Sequence, residues 1–198
     1  MMALSATVAE AVVVAQDFSG FSRAVDVGGG QGRLIAAVQR ANPGLRGVLF
    51  DRPQVVAGAG RLLDGVGVAE RCEVVGGDMF EVVPGGGDAY ILSRVIHDWD
   101  DARATAILVN CRRAMADREA KLLLVERVLP DRIEPAPATQ AKALSDLNML
   151  VRTGGRERTE AEYRGLLQAA GLRLARVLPT GTQVSLIEAK PTRRAQAQ

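Results

Sequence analysis

The sequence predicts an α/β fold: a mostly parallel β-sheet with helices on both faces, ending in an antiparallel pair of strands. Two observations predict it. Short apolar runs alternate with longer amphipathic stretches along most of the chain, and the last two apolar runs follow each other without a helix between them. Short strands separated by helices form βαβ units, whose strands lie parallel in a sheet that is covered on both sides. At 198 residues, the chain is long enough for one domain with a substantial core.

The first half of the chain alternates between helices and strands from its start. The amphipathic helix over 31–41 ends where Asn42, Pro43 and Gly44 interrupt the pattern, and the helix over 53–63 accommodates Pro53 in its first turn. In chain order we predict a helix over 3–16, a strand over 23–27, a helix over 31–41, a strand over 47–50, a helix over 53–63, and strands over 72–75 and 89–92.

The second half continues the alternation and then closes it. The helix over 101–115 starts with acidic residues and ends near Arg112 and Arg113, as the helix dipole favours. Thr159 and Glu162 form a capping box that begins the last helix, which ends at Gly171. The other predicted elements of this half are a strand over 122–125, a proline-rich connection over 130–137, a helix over 138–151, and two antiparallel strands over 172–178 and 183–188.

Composition and charge exclude several classes of function. Lys and Arg outnumber Asp and Glu by only 25 to 23, and aromatic residues make up 4%, so a nucleic-acid-binding surface has little to build on. No apolar run approaches the roughly 20 residues that a membrane span needs, and the N-terminus lacks the basic region of a signal peptide. Two cysteines, Cys72 and Cys111, and a single histidine disfavour a zinc site. We therefore expect a cytoplasmic protein that acts on a small molecule without a metal ion.

The strongest local pattern is the glycine-rich loop from Asp26 to Gly32, which directly follows a predicted strand and begins a predicted helix. Glycines let the backbone turn tightly and approach a ligand closely. The spacing is not the G-x-G-x-x-G of dinucleotide-binding proteins, because the register from Gly28 and the register from Gly30 both end on another residue type. The pattern D-x-G-x-G-x-G instead resembles the loop of methyltransferases that use S-adenosylmethionine, and it predicts cofactor contacts at Gly28 and Gly30.

Polar side chains follow the next strands at corresponding positions. Asp51 ends the second strand, where a carboxylate can accept hydrogen bonds from both hydroxyls of a ribose. Asp78 and Met79 follow the third strand, where they could meet the exocyclic amine and the ring face of an adenine. Ser93 closes the fourth strand. Because the carboxyl ends of parallel strands share one edge of the sheet, these residues and Gly28 predict a nucleoside-type cofactor site.

The only histidine of the chain, His97, leaves the sheet at the same edge a few residues after the fourth strand. Imidazole is the commonest general base near neutral pH, so we predict that His97 is catalytic. A carboxylate on one ring nitrogen would fix the tautomer and raise the basicity of the other nitrogen. Glu126, at the end of the fifth strand, and Glu157, in the loop before the capped helix, are both candidates, and their spacing does not choose between them. The three aspartates that follow His97 are interpreted as residues that start a helix.

With these residues together, the chain resembles the catalytic domain of plant and bacterial small-molecule O-methyltransferases, a family that includes caffeate-type and polyketide-tailoring enzymes. The resemblance covers nearly the whole chain. It rests on the segments 26–32, 50–51, 76–80, 97–99, 146–149 and 154–159. It implies a class I, Rossmann-like, three-layer sandwich around a seven-stranded sheet, with S-adenosylmethionine at the strand-end residues named above. It also implies His97 as the base, flanked by Glu126 and Glu157, and Met149 near the acceptor.

Members of that family usually carry an additional N-terminal helical domain, which provides dimer contacts and part of the acceptor pocket. The resemblance therefore implies that residues 1–198 form the S-adenosylmethionine-binding catalytic domain alone, with a leading helix within 1–20. It further implies a homodimer for a full-length form, and apolar surface on residues 3–16 that the other domain would cover.

The function predicted from these patterns is transfer of a methyl group from S-adenosylmethionine to a phenolic or enolic hydroxyl of a small aromatic or polyketide-like metabolite, with His97 as general base. Three alternatives stay open. The chain could bind S-adenosylmethionine without transferring a methyl group. It could be an NAD-dependent oxidoreductase, which the glycine spacing disfavours, or a metal-dependent catechol methyltransferase.

Overall fold

A computed structural model of the chain describes residues 2–115, 119–130 and 154–192, and side chains from residue 7 onward. The predicted helix over 138–151, nearly all of the proline-rich connection over 130–137, and Met149 lie outside the described residues.

Seven strands form one sheet in the order β3-β2-β1-β4-β5-β9-β8, and two short strands, β6 and β7, pair in parallel elsewhere. The first five strands run parallel, while β9 lies antiparallel to both β5 and β8. The predicted fold class is confirmed, including the antiparallel end. The strands are β1 (Arg23–Val27), β2 (Arg46–Asp51), β3 (Cys72–Gly76), β4 (Ala89–Ser93), β5 (Lys121–Glu126), β6 (Val128–Leu129), β7 (Arg158–Thr159), β8 (Leu172–Pro179) and β9 (Ser185–Pro191).

The helices follow the predicted order with two differences. The helix predicted over 53–63 is divided at residues 57–58 into two short helices, the second of which extends to Gly65. The helix predicted from residue 31 begins at Arg33, since Gly32 is still in the left-handed region at a φ of 82°. The α-helices of the described residues are α1 (Met2–Ala15), α2 (Arg33–Ala41), α3 (Pro53–Val56), α4 (Ala59–Gly65), α5 (Asp101–Ala114) and α6 (Glu160–Ala169).

The predicted capping box at the start of α6 is confirmed. The hydroxyl of Thr159 accepts from the backbone N–H of Glu162, and the carboxylate of Glu162 accepts from the backbone N–H of Thr159. These bonds satisfy two backbone donors that a helix N-terminus otherwise leaves unpaired. They also define where the helix begins, directly after β7.

Two apolar clusters cover the two faces of the sheet. One contains buried residues of α5 and α6, and the other contains buried residues of α1, α2 and α4. Successive residues of a strand alternate between the faces, as in β4, where Tyr90 and Leu92 join the first cluster and Ala89 and Ile91 join the second. The molecule therefore has three layers, helices, sheet and helices, with the sheet buried between two cores.

Helix α1 buries Val12 completely but leaves Val14 89% exposed. None of the helices in the described part of the chain is both long and apolar enough to cross a membrane.

The sheet order reverses between β1 and β4, because the chain first adds strands on one side of β1 and then on the other. At such a switch point the connections leave in opposite directions and open a crevice at the carboxyl ends of the strands, where ligands bind in open α/β sheets. The glycine loop follows β1 and the His97 segment follows β4, so both border this crevice.

Candidate active site

A cavity of about 400 Å³ lies at the switch point. Its volume falls in the range of small-molecule sites, about 300–1,000 Å³. Four of the predicted cofactor contacts, Gly28, Asp51, Asp78 and Met79, line it.

The glycine loop has the conformation that its composition predicts. Gly28, Gly30 and Gly32 all have positive φ angles, of 70°, 61° and 82°. A Cβ atom at Gly28 would lie only 2.7 Å from Cγ2 of Val95, so a side chain at this position would be excluded by contact as well as by backbone angle. The N–H of Gly30 donates to Oδ2 of Asp51 at 2.9 Å, which ties the loop to the end of β2.

The two carboxylates of the cavity are held by backbone donors. Oδ1 of Asp51 accepts from the N–H of Arg52 at 2.7 Å, in addition to the bond from the glycine loop. Oδ1 of Asp78 accepts from the N–H of Phe80 at 2.8 Å. Both side chains therefore present carboxylate oxygens from fixed turns at neighbouring strand ends.

An aromatic wall completes the cavity beside Asp78. The rings of Phe80 and Trp99 meet edge to face with centroids 4.8 Å apart, and the guanidinium of Arg103 lies 5.4 Å and 5.3 Å from the two centroids. Asn110, on α5, donates to the carbonyls of Met79 and Phe80 at 3.0 and 2.9 Å. Neither Arg103 nor Asn110 belongs to a local pattern in the sequence. The packing of α5 brings Arg103 to the cavity wall and Asn110 to the backbone of two wall residues.

Ser93 and Gly30 are placed near the cavity but do not line it. Ser93 ends β4 and is half-buried, and the wall at this point is formed by the next two residues, Arg94 and Val95. Gly30 instead contributes its backbone N–H to Asp51. Met149 lies outside the described residues.

His97 is hydrogen-bonded to Glu126 and not to Glu157. Its Nδ1 lies 2.7 Å from Oε2 of Glu126, a carboxylate that is completely buried at the end of β5. Oε1 of Glu126 accepts the backbone N–H groups of Val95 and Ile96 at 2.9 and 2.8 Å. Because β4 and β5 are neighbours, one carboxylate both orients the imidazole and holds the backbone that carries it.

Burial and charge act in opposite directions on the imidazole. Burial, the largest effect, lowers the pKa of His97, but the hydrogen bond and charge of Glu126, followed by the charges of Asp98 and Glu157, outweigh it and raise the pKa above its usual value. Nε2 lies 3.5 Å from Oδ1 of Asp98. The carboxylate of Glu157 is buried, and its Oε1 lies 3.9 Å from Nη1 of Arg127. Glu157 affects the pKa of His97 through its charge.

Arg158 is fully buried and joins the start of α6 to the segment that carries His97. Its guanidinium donates to the carbonyls of Ile96 at 3.1 Å and Trp99 at 2.8 Å, and two of its nitrogens donate to Oδ1 of Asp101 at 3.0 and 2.8 Å. Arg158 lies in the segment 154–159, but no role was predicted for it from the sequence. An arginine in a charged run gives no sign of burial until its partners, some sixty positions away, are known.

Gly155 belongs to the same segment and makes a close backbone approach. A Cβ atom at Gly155 would lie 2.0 Å from the carbonyl oxygen of His97 and 2.5 Å from the carbonyl carbon of Asp98. Any side chain would therefore push the His97 segment out of place. The adjacent pair of glycines in the sequence was a signal of this contact, although it did not identify the partner.

Asp26, the acidic residue of the glycine motif, is completely buried beneath the loop. Burial raises the pKa of Asp26 to about 7, the amide of Ile35 acts against this rise, and the charge of Asp51 adds to it. Neither carboxyl oxygen makes a hydrogen bond of normal geometry within the described residues. An added Cβ at Gly29 would lie 2.6 Å from Cγ of Asp26, so this carboxyl packs directly against the loop.

No group of three or more His, Cys, Asp or Glu side chains is arranged to hold a metal ion in the described ranges. The polar groups described so far at this edge include an imidazole, carboxylates, guanidinium groups and backbone amides.

Comparisons with known proteins agree with this arrangement. Residues 1–173 match a family described as an O-methyltransferase domain. The chain is 51% identical over 184 residues to phenazine O-methyltransferase PhzM from Lysobacter antibioticus, and the match covers 93% of this chain and 52% of that protein. The chain spans about half the length of the curated relatives it matches.

Solved structures show the same likeness. The mitomycin 7-O-methyltransferase MmcR is 44% identical with a TM-score of 0.89, over 96% of this chain and 54% of that one. NcsB1, an O-methyltransferase from neocarzinostatin biosynthesis, is 34% identical with a TM-score of 0.81, over 91% of this chain and 52% of that one. That structure contains S-adenosylmethionine and 2-hydroxy-5-methyl naphthoic acid.

Proposed function

The chain belongs to the O-methyltransferase domain family, and from that premise we propose that it is the catalytic part of an enzyme that uses S-adenosylmethionine to methylate a phenolic or enolic hydroxyl of a small aromatic metabolite. The observation that carries the proposal is the imidazole of His97, bonded to a buried carboxylate at the sheet edge that also carries the glycine loop. The NcsB1 structure, which contains both S-adenosylmethionine and 2-hydroxy-5-methyl naphthoic acid, supports the same class of acceptor.

The residues of the cavity fit S-adenosylmethionine in their chemistry. The carboxylate of Asp51 suits the ribose hydroxyls, and the carboxylate of Asp78 suits the exocyclic amine of adenine. Met79, Phe80 and Trp99 supply apolar and aromatic surface for the adenine ring. An added Cβ at Gly30 would meet no atom within 4 Å, so the loop leaves open space where a ligand would approach. We keep Gly28, Gly30 and Ser93 as proposed cofactor contacts.

When bound at this edge, S-adenosylmethionine supplies a methyl group that its sulfonium already activates. The chain therefore has to align the acceptor and remove its proton. A phenol, with a pKa of about 10, is mostly neutral at pH 7. Nε2 of His97 takes the proton, because Nδ1 is engaged by Glu126. Glu126 keeps the Nδ1 proton in place and stabilises the imidazolium that forms, while Glu157 adds negative charge nearby.

Activity should rise with pH through the raised pKa of His97, because only the neutral imidazole can accept a proton. We also propose that Met149 lies near the acceptor and that the acceptor, a small molecule, is the partner of the site. A full-length form is proposed to be a homodimer. Activity without a metal ion is also part of it.

Calorimetric titration of the chain with S-adenosylmethionine, followed by methyl-transfer assays on a panel of phenols with and without EDTA, tests the proposal. We expect binding of S-adenosylmethionine but not of NADH, and transfer that EDTA does not reduce. His97→Ala should leave cofactor affinity nearly unchanged and reduce transfer by about 10²- to 10⁴-fold. Asp51→Ala, in contrast, should act mainly by lowering the affinity for S-adenosylmethionine.

Three results would support other functions. Binding without transfer to any phenol, in a form that also carries the other half of the relatives' length, would identify a cofactor-binding module. Thermal stabilisation by NADH alone would indicate an oxidoreductase. Loss of transfer on adding EDTA would indicate a metal-dependent enzyme.

A further inference from the structure

A second cavity, of about 550 Å³, lies beside the first at the same edge of the sheet, and we call it the arginine cavity. Arg94, just after β4, lines both cavities. Arg127, just after β5, also lines it, together with Thr182 and Gln183 in the turn between β8 and β9 and Thr7 in α1. The arginine cavity shares Arg94 with the proposed cofactor cavity. Its two arginines follow the neighbouring strands β4 and β5, and the same strand ends lead to His97 and carry Glu126.

The charge of this cavity has one sign. The charged side chains that line it within the described residues are Arg94 and Arg127, and no Asp or Glu is among the lining residues. Arg127 is held in place, since its guanidinium donates to Oε1 of Gln183 and lies 3.9 Å from Oε1 of Glu157. Glu157 offsets part of the charge of Arg127, and a guanidinium has five N–H donors, more than these two contacts use.

Arg94 has fewer hydrogen-bond and ion-pair partners than Arg127 in the described part of the chain. It is exposed, and its guanidinium makes no hydrogen bond or ion pair with any residue in the described part of the chain. It is also the one described non-glycine residue with a positive φ, 57°, and its backbone N–H is fixed by the carbonyl of Val125 at 3.0 Å. Such a backbone costs a branched or long side chain about 1–3 kcal/mol, and residues of this kind cluster at ligand sites.

We propose that the arginine cavity binds a carboxylate carried by the acceptor, so that the substrate class is a hydroxylated aromatic carboxylic acid. This rests on the proposed function above. A planar guanidinium matches a carboxylate with two parallel hydrogen bonds, and two arginines that line one cavity can bind the same anion. Arg94 and Arg127 then determine specificity by orienting the ring, with the hydroxyl directed to His97 and the acid directed away from it.

A second source of the same chemistry is the carboxylate of S-adenosylmethionine itself, because Arg94 also lines the cofactor cavity. The two sources predict different losses. If Arg94 binds the cofactor, its replacement weakens the binding of S-adenosylhomocysteine but not that of 5′-methylthioadenosine, which lacks the amino-acid part. If it binds the acceptor, neither nucleoside is affected.

The test is calorimetric titration of the untagged chain with 3-hydroxybenzoate and with 3-hydroxybenzamide, which has nearly the same shape but no charge. Titrations are run with and without saturating S-adenosylhomocysteine. We expect the acid to bind at least about 10-fold more tightly than the amide. Arg94→Gln and Arg127→Gln should each weaken the binding of 3-hydroxybenzoate by about 10- to 100-fold, as expected for a lost hydrogen-bonded charge pair. The affinity for 3-hydroxybenzamide should stay unchanged.

The control is Arg173→Gln, which removes an equal charge from the exposed start of β8 at the opposite edge of the sheet and should change nothing. Equal affinity for acid and amide, no binding of either, or an Arg94→Gln variant that loses S-adenosylhomocysteine selectively would overturn the assignment. Selective acid binding in a chain that fails to bind S-adenosylhomocysteine would keep the carboxylate site and refute the proposed function instead.

Discussion

Replacing Glu126 by Gln separates the orienting role of this carboxylate from its structural role. The amide oxygen of Gln can keep the two hydrogen bonds from the N–H groups of Val95 and Ile96, which both go to Oε1. The amide nitrogen then faces Nδ1 of His97, where Oε2 now lies 2.7 Å away. Because that nitrogen donates, the imidazole has to place its proton on Nε2 and accept at Nδ1. The nitrogen proposed to act as the base would be blocked.

The magnitudes follow from the same contacts. Glu126→Ala would leave three buried donors unpaired, at about 1–3 kcal/mol each, a loss that approaches the whole stability of a domain. Glu126→Gln keeps two of the three bonds and changes a charge-assisted bond into a neutral one, so it should lower the unfolding free energy by only about 1–2 kcal/mol. Methyl transfer should nevertheless fall by about 10²- to 10⁴-fold, with cofactor affinity unchanged.

Nitrogen-15 NMR of the imidazole measures this directly, because the chain contains a single histidine and its signals need no assignment. In the wild type, the Nδ1–H tautomer should dominate above a titration midpoint that is higher than the ordinary value. In Glu126→Gln the midpoint should fall and the Nε2–H tautomer should dominate. The folded-state pKa is raised, so this group stabilises the wild type below the unfolded pKa and loses that contribution as pH rises through the folded value. An unchanged midpoint and tautomer in the variant would refute the role given to Glu126.

Three further changes test the surroundings of the site. Gly155→Ala should lower stability by about 1–3 kcal/mol and shift the His97 resonances, because the added Cβ would lie 2.0 Å from the carbonyl oxygen of His97. The control is Gly165→Ala within α6, where an added Cβ meets open space; this change should stabilise the protein by about 0.5–1 kcal/mol. Urea unfolding and the imidazole spectrum check both, and an unperturbed imidazole in Gly155→Ala would contradict the contact. Arg158→Lys should lose the hydrogen bonds of the guanidinium to Asp101 and to the carbonyls of Ile96 and Trp99. We expect stability to fall by about 1–3 kcal/mol and the titration midpoint of the His97 imidazole to shift. A loss of stability with an unchanged midpoint would show that Arg158 has a structural role alone. Asp26→Asn should gain stability over the wild type as pH rises from about 4 to about 7, by on the order of 4 kcal/mol, because the raised pKa of Asp26 makes its ionisation costly in the folded state. Parallel stability curves for Asp26→Asn and the wild type, measured at pH 5 and pH 8, would disprove this.

Features that depend on neighbouring residues could be predicted from the sequence. The glycine loop, the capping box of Thr159 and the acids at the strand ends each need only a few neighbouring residues. The alternation of strands and helices then brought Gly28, Asp51 and Asp78 to one edge, because parallel strands place their carboxyl ends together. For these features the sequence was sufficient.

Contacts between distant segments were decided by the tertiary structure. The pairing of β4 with β5 selected Glu126 over Glu157 as the partner of His97, a choice that spacing had left open. The burial of Arg158, the backbone approach of Gly155 and the cavity between Arg94 and Arg127 all join residues thirty to sixty positions apart. Periodicity and capping report only on neighbours within a turn or a strand, whereas hydrogen bonds and charges act through space. The residue types at this edge could therefore be predicted from the chain, but which of them touch could not.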